Sequence, residues 1–245
     1  GTEAYYSFDW GDVHFLSLNS TFTDPVAYLA MCTWVTADLQ STSQRWIVAF
    51  WHHPPYSKGS HDSDTDYAQT VLRQSLVPIL EAHGVDLVLC GHSHSYERSV
   101  LLDSHYGLST TYVAATHAID AGDGRIDGSG AYKKVTDGPA PHEGAVYTVC
   151  GSSGQATAAP LNHPIMISTS LEPGSVVLDF ESNQIDVRFL TINGVVADRF
   201  TIVKGGATPV ARHTQLVGPL SVWRFHDSGQ DLSATGWQLP GYDDS

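Results

Sequence analysis

The sequence predicts a layered α/β domain, and three observations point to it. Strand-like and helix-like segments alternate in the order strand, helix, strand, helix, strand through "VDLVLC". Two near-continuous apolar runs, "RWIVAFW" and "VDLVLC", have the composition of strands buried on both faces. Further along, "GSVVLDFESNQIDVRFLTINGVVADRFTIVKG" alternates strands with tight turns, the mark of an antiparallel meander.

Each element has its own local signal. "YYSFDWGDVHFLSLNS" reads as two short strands around a turn at Gly11-Asp12. Phe15, Ser17 and Asn19 alternate there with His14, Leu16 and Leu18. "TWVTADLQ" is a short helix candidate. Trp46 to Trp51 is the first buried strand, and Pro54 and Pro55 close it off. "DYAQTVLRQSLVPILEAHG" places Val71, Leu72, Leu76, Ile79 and Leu80 at helical spacing, with Gly84 as its cap and Pro78 as a kink or division. "VDLVLC" is the second buried strand. Residues 103–144 are rich in Gly, Asp and Pro and read as one long ordered loop. "AVYTVC" resumes a strand. The meander turns at Ser182-Asn183 and at Asn193-Gly194. Residues 205–219 read as a linker. Residues 220–245 resemble the first strands of a galactose-binding-like β-sandwich, which implies a carbohydrate contact through that piece.

Composition narrows the function. The 245 residues are 42% hydrophobic, enough to bury a sizeable core. Twelve basic against 26 acidic residues give a net charge of −14, which repels nucleic-acid phosphates. An anionic small substrate is repelled as well unless a local positive centre, such as a metal ion, overrides the field. No apolar run is long enough to span a membrane. Three scattered cysteines, Cys32, Cys90 and Cys150, lack zinc-site spacing; Cys90 and Cys150 end apolar runs as buried thiols, and one disulfide is open. The chain starts on strand-like sequence without an initiator methionine and reads as an internal piece of a longer protein.

Chemistry concentrates where the two buried strands end. The first runs into "WHHPPYS", with His52 and His53, and the second into "GHSHSYERS", with His92 and His94. Open α/β sheets collect ligands beyond the carboxyl ends of their strands, and imidazole is the commonest ligand for zinc-like ions. In extended backbone, His92 and His94 project to one side of the chain, with Gly91 removing a Cβ that would crowd the bend. Either histidine pair alone is ordinary surface composition. Two pairs at the ends of successive core strands predict a metal site.

The two motifs, about forty residues apart, resemble those of the calcineurin-like metallophosphoesterases, and most of all their purple-acid-phosphatase-like branch. "YYSFDWGDVHFLSLNS", "AVYTVCGSSGQ" and "VRFLTINGVVADRFTIVKG" follow in the order of that family's strands, so the resemblance covers residues 1–204. It implies a four-layer αββα sandwich with two divalent or trivalent metal ions (Fe, Zn or Mn) at one edge. His52 and His92 match ligands of one ion, and His94 a ligand of the other. His61, in "SKGSHDSD", matches a histidine that contacts substrate phosphate and protonates the leaving group. Tyr96, Glu97 and Arg98 follow the ligand loop and are expected to support it. The family's earlier Gly-Asp-x-x and Gly-Asn-His-Asp/Glu motifs, which supply its carboxylate ligands, are not in this sequence, so the sandwich is expected to be incomplete at its N-terminal side. Hydrolysis of a phosphorylated small molecule by a secreted or cell-surface protein is the implied function. A degenerate, non-catalytic binding module is the rival. His53 is expected to pack rather than ligate, and His83, His117, His142 and His163 to lie outside the site. A calcium-loop reading of "DAGDGRIDG" is disfavoured because the terminal glutamate is missing, and "GSSGQ" lacks the setting of a serine nucleophile.

Overall fold

The computed structural model describes residues 2–21 and 24–211. The expected β-sandwich piece, its carbohydrate contact and most of the linker lie outside the described residues.

The chain opens on a hairpin of β1 (Tyr6–Trp10) and β2 (Val13–Ser17), turned at Gly11 with a φ of 56°. The helix after it, α1 (Pro25–Ser41), is longer than "TWVTADLQ" suggested. Asp24 accepts the Val26 N–H and Pro25 opens the first turn, where its missing N–H costs nothing. This Asp-Pro start lies well upstream of "TWVTADLQ". After β3 (Trp46–Trp51) comes a divided helix: α2 (Tyr67–Val71), a π-helical turn over Leu72–Leu76, and α3 (Val77–Ala82). The division falls where expected, because Pro78 withholds an N–H from the helical ladder. Gly84 ends the segment at φ 79°, and a Cβ there would run into the Ala140 backbone.

The remaining strands are β4 (Leu87–Cys90), β5 (Tyr96–Ser99), β6 (Leu101–Leu102), β7 (Ala118–Asp120), β8 (Tyr132–Lys134), β9 (Val146–Cys150), β10 (Met166–Ser170), β11 (Gly174–Glu181), β12 (Gln184–Thr191) and β13 (Val196–Lys204). A seven-stranded sheet has the order β1-β2-β3-β4-β9-β5-β10, parallel from β2 through β9. A four-stranded sheet has the order β11-β12-β13-β8, and its first three strands form the expected meander. The 103–144 segment departs from its reading as one loop: β7 pairs with β6, and β8 lies parallel to β13. The short "YKK" of β8 carries no periodic signal, and only its partners make it a strand.

Helices cover one face of the large sheet. Met31, Val35 and Leu39 of α1, with Leu72, Leu76 and Leu80, pack on Leu16, Ile47, Ala49 and Val88. The other face meets the small sheet: Val13, Trp46, Val48, Leu87 and Val146 pack against Ile185, Val187, Phe200 and Ile202. β3 therefore buries both of its faces, as its composition required. The described residues form three layers of the expected sandwich: helices, large sheet and small sheet. Cys32, Cys90 and Cys150 are free thiols.

Candidate metal centre

Parallel pairing sets Trp51 beside Cys90, so the loops that leave β3 and β4 emerge side by side. The Gly91 N–H donates to the His52 carbonyl at 3.0 Å and ties them together. Five side chains then converge. His92 Nδ1 lies 3.2 Å from His52 Nε2. The His92 ring lies 4.4 Å from that of His53 and stacks at 3.7 Å on that of His61. Asp66, which caps α2 by accepting from Gln69, turns Oδ2 to 3.7 Å from His92 Nε2 and 3.9 Å from His61 Nδ1. Donor atoms of His52, His53 and His92 lie within 4.8 Å of one another, and so do those of His61, Asp66 and His92. His92 belongs to both sets.

The backbone at this point is strained at His92, with φ 65°, rather than at Gly91. A Cβ on Gly91 would meet nothing nearer than His52 Nδ1 at 3.8 Å, which corrects the steric reason given for that glycine. The positive φ also rules out the simple extended geometry in which His92 and His94 share a side. Non-glycine residues pay roughly 1–2 kcal/mol for such a conformation, and it persists where surroundings over-determine it. Here the surroundings are visible. A Cβ on Gly151 would overlap the Ser93 carbonyl oxygen, so the "GSSGQ" loop packs directly beneath the ligand loop. Glu97 accepts from Ser57 Oγ at 2.6 Å, Ser95 Oγ at 3.0 Å and the Lys58 N–H at 3.0 Å. It therefore stitches the two histidine loops together. Ser93 Oγ adds a bond to Ser57 Oγ at 2.7 Å and accepts the His61 N–H at 3.2 Å. Tyr96 and Arg98 both bond to Asp198 on β13, Arg98 through two nitrogens, which fixes the ligand loop to the second sheet. These contacts match the supporting role expected for Tyr96, Glu97 and Arg98.

The electrostatics favour a neutral donor at the centre. Burial pushes His92 down to about 4, with repulsion from His61, His53 and His52 adding to it. Burial and then His52 lower His53 as well. Burial pushes Asp66 up, but the Gln69 N–H and His92 outweigh it, so the carboxylate stays ionised. At neutral pH His92 and His53 present imidazole lone pairs beside the Asp66 carboxylate. His92 Nε2 is buried and has no hydrogen-bond partner. An orphaned ring nitrogen among three imidazoles and a carboxylate is the donor set of a borderline divalent cation.

His52, His92 and His61 come together as the sequence suggested. His94 stands apart: its Nδ1 faces Thr157 Oγ1 at 3.4 Å and its N–H donates to Ser60 Oγ at 3.0 Å. It joins neither ligand set. His53, expected to pack, does both, bonding Ser20 Oγ through Nδ1 at 2.8 Å while lying beside His92. Asp66 was missed. An Asp before a helical pattern reads as a cap, and nothing local shows that its second oxygen faces His92. The four histidines expected outside the site have other partners: His83 the Ile79 carbonyl, His142 Asp103, His117 the Val113 N–H, and His163 the Ile165 N–H. In "DAGDGRIDG", Asp123 accepts from Ser129 and Arg125, and Asp127 pairs with Arg125 and Arg199, so its carboxylates are already satisfied.

The imidazole–carboxylate cluster thus sits at the carboxyl edge of the parallel sheet, which a second sheet backs. A family model for calcineurin-like phosphoesterase matches residues 5–96, which hold every member of the cluster. Purple acid phosphatase 18 of Arabidopsis thaliana is 35% identical over 99 residues, covering 39% of this chain and 22% of that one. Purple acid phosphatase 23 of the same plant is 36% identical over 98 residues, 38% and 20% of the two chains. The structure of purple acid phosphatase PPD1 from yellow lupin, Lupinus luteus, superposes with a TM-score of 0.59 at 19% identity, over 87% of this chain and 36% of that one. Over residues 5–96 the chain is similar to the calcineurin-like phosphoesterases, and its likeness extends to purple acid phosphatases. It spans about a fifth of the length of these curated relatives.

Proposed function

We propose that this chain takes part in metal-dependent hydrolysis of phosphate esters, with His92 as the central ligand. The observation that carries the reading is the buried, unpartnered Nε2 of His92, aimed into a cluster completed by His52, His53, His61 and Asp66. A divalent ion held there supplies the concentrated positive charge that a phosphoryl oxygen requires. That charge also answers the −14 field of the chain, which otherwise repels an anionic substrate.

The chain's own groups divide the remaining work. His52 and His92 offer ring nitrogens from two loops that Glu97 holds together. His61 has 41% of its side chain exposed and stacks on His92, so it can reach a substrate at the rim while its backbone stays fixed by Ser93. In that position it serves as a proton donor to a leaving oxygen or as a phosphate contact. His94 is kept as a donor toward a second ion. Two cations about 3.5–4 Å apart need shared anionic ligands, and the cluster of described residues offers only Asp66. We therefore assign one ion, of zinc, manganese or iron type, to this set, and treat the second as dependent on further carboxylates. We read the substrate as a phosphorylated small molecule and the location as outside the cell, on the likeness to purple acid phosphatases.

Calorimetric titration with zinc tests the reading. A single equivalent is expected to bind the intact chain, to be lost in His92→Ala, and to survive in His163→Ala. Turnover of an aryl phosphate by the zinc-loaded chain is expected to be weak. Equal zinc affinity in wild type and His92→Ala would overturn the assignment.

A further inference from the structure

A cleft of about 460 Å³ opens beside the candidate centre, lined by Lys58, Asp62, Ser109, Thr110, Pro160, Asn162 and Pro164. Its volume is within the range of small-molecule sites. Three segments build it, and one of them, residues 58–62, also carries His61 of the centre. Asp62 follows His61 directly in the chain, and the Lys58 N–H is held by Glu97. The segment forming the opposite wall is pinned at both ends to the histidine loops: the Thr157 N–H donates to the His94 carbonyl at 3.0 Å, and the Leu161 N–H to the Lys58 carbonyl at 2.9 Å. Asp64 fixes the third wall by accepting from the Ser109 N–H at 2.8 Å and Oγ at 2.5 Å. The walls are thus set before any ligand arrives.

The charged groups inside are one ammonium and two carboxylates, a net charge of −1. Lys58 Nζ donates to Asp62 at 2.6 Å and to Asp64 at 2.9 Å, so its ammonium is engaged twice. A second phosphate in the cleft would find no free cation and would face two carboxylates. What stays open on the wall is hydrogen-bonding capacity with little net charge: the exposed Thr110 and Asn162, beside the apolar faces of Pro160 and Pro164.

We propose that this cleft takes the alcohol portion of the substrate, and that the preferred ester is a phosphomonoester of an uncharged polyol rather than a polyphosphate. The proposal rests on the metal-dependent phosphoesterase reading for the position of the scissile phosphate, but the cleft itself is formed without any metal. Hydroxyls of the polyol pair with Asn162, Thr110 and the outer oxygen of Asp62, and its C–H face lies on the two prolines.

Amide spectra of the isotope-labelled full chain test this with myo-inositol and inositol hexakisphosphate as probes, with and without zinc. Inositol is expected to shift the Ser109, Thr110 and Asn162 amides saturably in both conditions and in His92→Ala. Asn162→Ala and Thr110→Trp are each expected to weaken it about tenfold. The hexakisphosphate is expected to bind these amides at least about tenfold more weakly than inositol. Absence of inositol shifts, or tighter cleft binding by the hexakisphosphate, overturns the proposal. Inositol binding without zinc binding supports the cleft and sinks the metal reading. Zinc binding without inositol binding leaves the metal reading standing and sinks this one.

Discussion

The two ends of β3 and β4 treat polar groups in opposite ways. At the amino-terminal ends, Asp86 accepts Lys134 Nζ at 2.6 Å, Lys204 Nζ at 2.9 Å and the Ile47 N–H at 2.9 Å. Lys204 also donates to the Arg45 and Gly138 carbonyls and lies 4.7 Å over the Trp46 ring. The Asp86, Lys134 and Lys204 side chains are completely buried, and each finds partners. At the carboxyl ends, His92 sits at a positive φ with its Nε2 unpaired, and His52 is exposed. A buried charge must be compensated or the fold is lost. A ligand site requires the reverse, donors held in place but left unpaired. The same two strands supply one of each, because parallel pairing puts all their amino ends on one edge and all their carboxyl ends on the other.

The sharpest way to break this comparison is to remove one charge from the closed end. Asp86→Asn leaves two buried ammoniums facing each other and is expected to cost about 3–5 kcal/mol in urea unfolding. His92→Gly at the open end is expected to leave apo stability unchanged or to raise it by about 0.5 kcal/mol, since glycine relieves the positive φ but loosens the unfolded chain. Comparable losses from both would erase the distinction.

A carboxylate that faces hydroxyls instead of cations sharpens it. Glu81 is buried on α3 and accepts from Tyr106 and Tyr147, each at 2.7 Å, and from the Ser104 N–H. Burial raises it from 4.5 to about 7, against those hydrogen bonds. The folded chain therefore holds a proton that the unfolded chain releases. That stabilisation is complete below pH 4.5 and is lost as pH rises through about 7, by about 3 kcal/mol. Glu81→Gln is expected to flatten this loss in denaturation curves taken from pH 5 to 8. An unchanged slope would mean that another group titrates there. His163 works with the opposite sign. Burial lowers it to about 3, so its contribution is present above the ordinary value of 6.5 and lost as pH falls toward 3.

The smallest expected effect concerns the two glycines at the ligand loop. Gly91→Ala has room for its Cβ and is expected to change stability by less than about 0.5 kcal/mol, with zinc affinity intact. Gly151→Ala drives a Cβ into the Ser93 carbonyl and is expected to cost about 1–3 kcal/mol and to weaken zinc binding with it. A harmless Gly151→Ala in the calorimeter would show that the "GSSGQ" loop does not shape the site.

Much of this is legible in the sequence, because the signals are local or periodic. Apolar runs marked β3 and β4, and Asn193-Gly194 and Ser182-Asn183 marked the meander's turns. Pro78 marked the helix division. Histidines placed just beyond two buried strands must share an edge once those strands pair in parallel, so His52 and His92 could be brought together from sequence. What remained hidden was whatever depends on partners distant in the chain. Lys134 in a polar three-residue strand gives no sign of burial until Asp86, 48 residues away, is folded against it. Asp66 looks like a helix cap from one side and becomes a candidate ligand only because α2 starts opposite His92. The positive φ of His92, and the separation of His94 toward Thr157, follow from the Gly151 loop packing beneath them. The sequence by itself determined which strands exist and which imidazoles lie at their ends, since periodicity and chain order carry that information. Only the tertiary structure decided which donors face a common point, because a few ångströms and one backbone torsion separate a ligand from a neighbour.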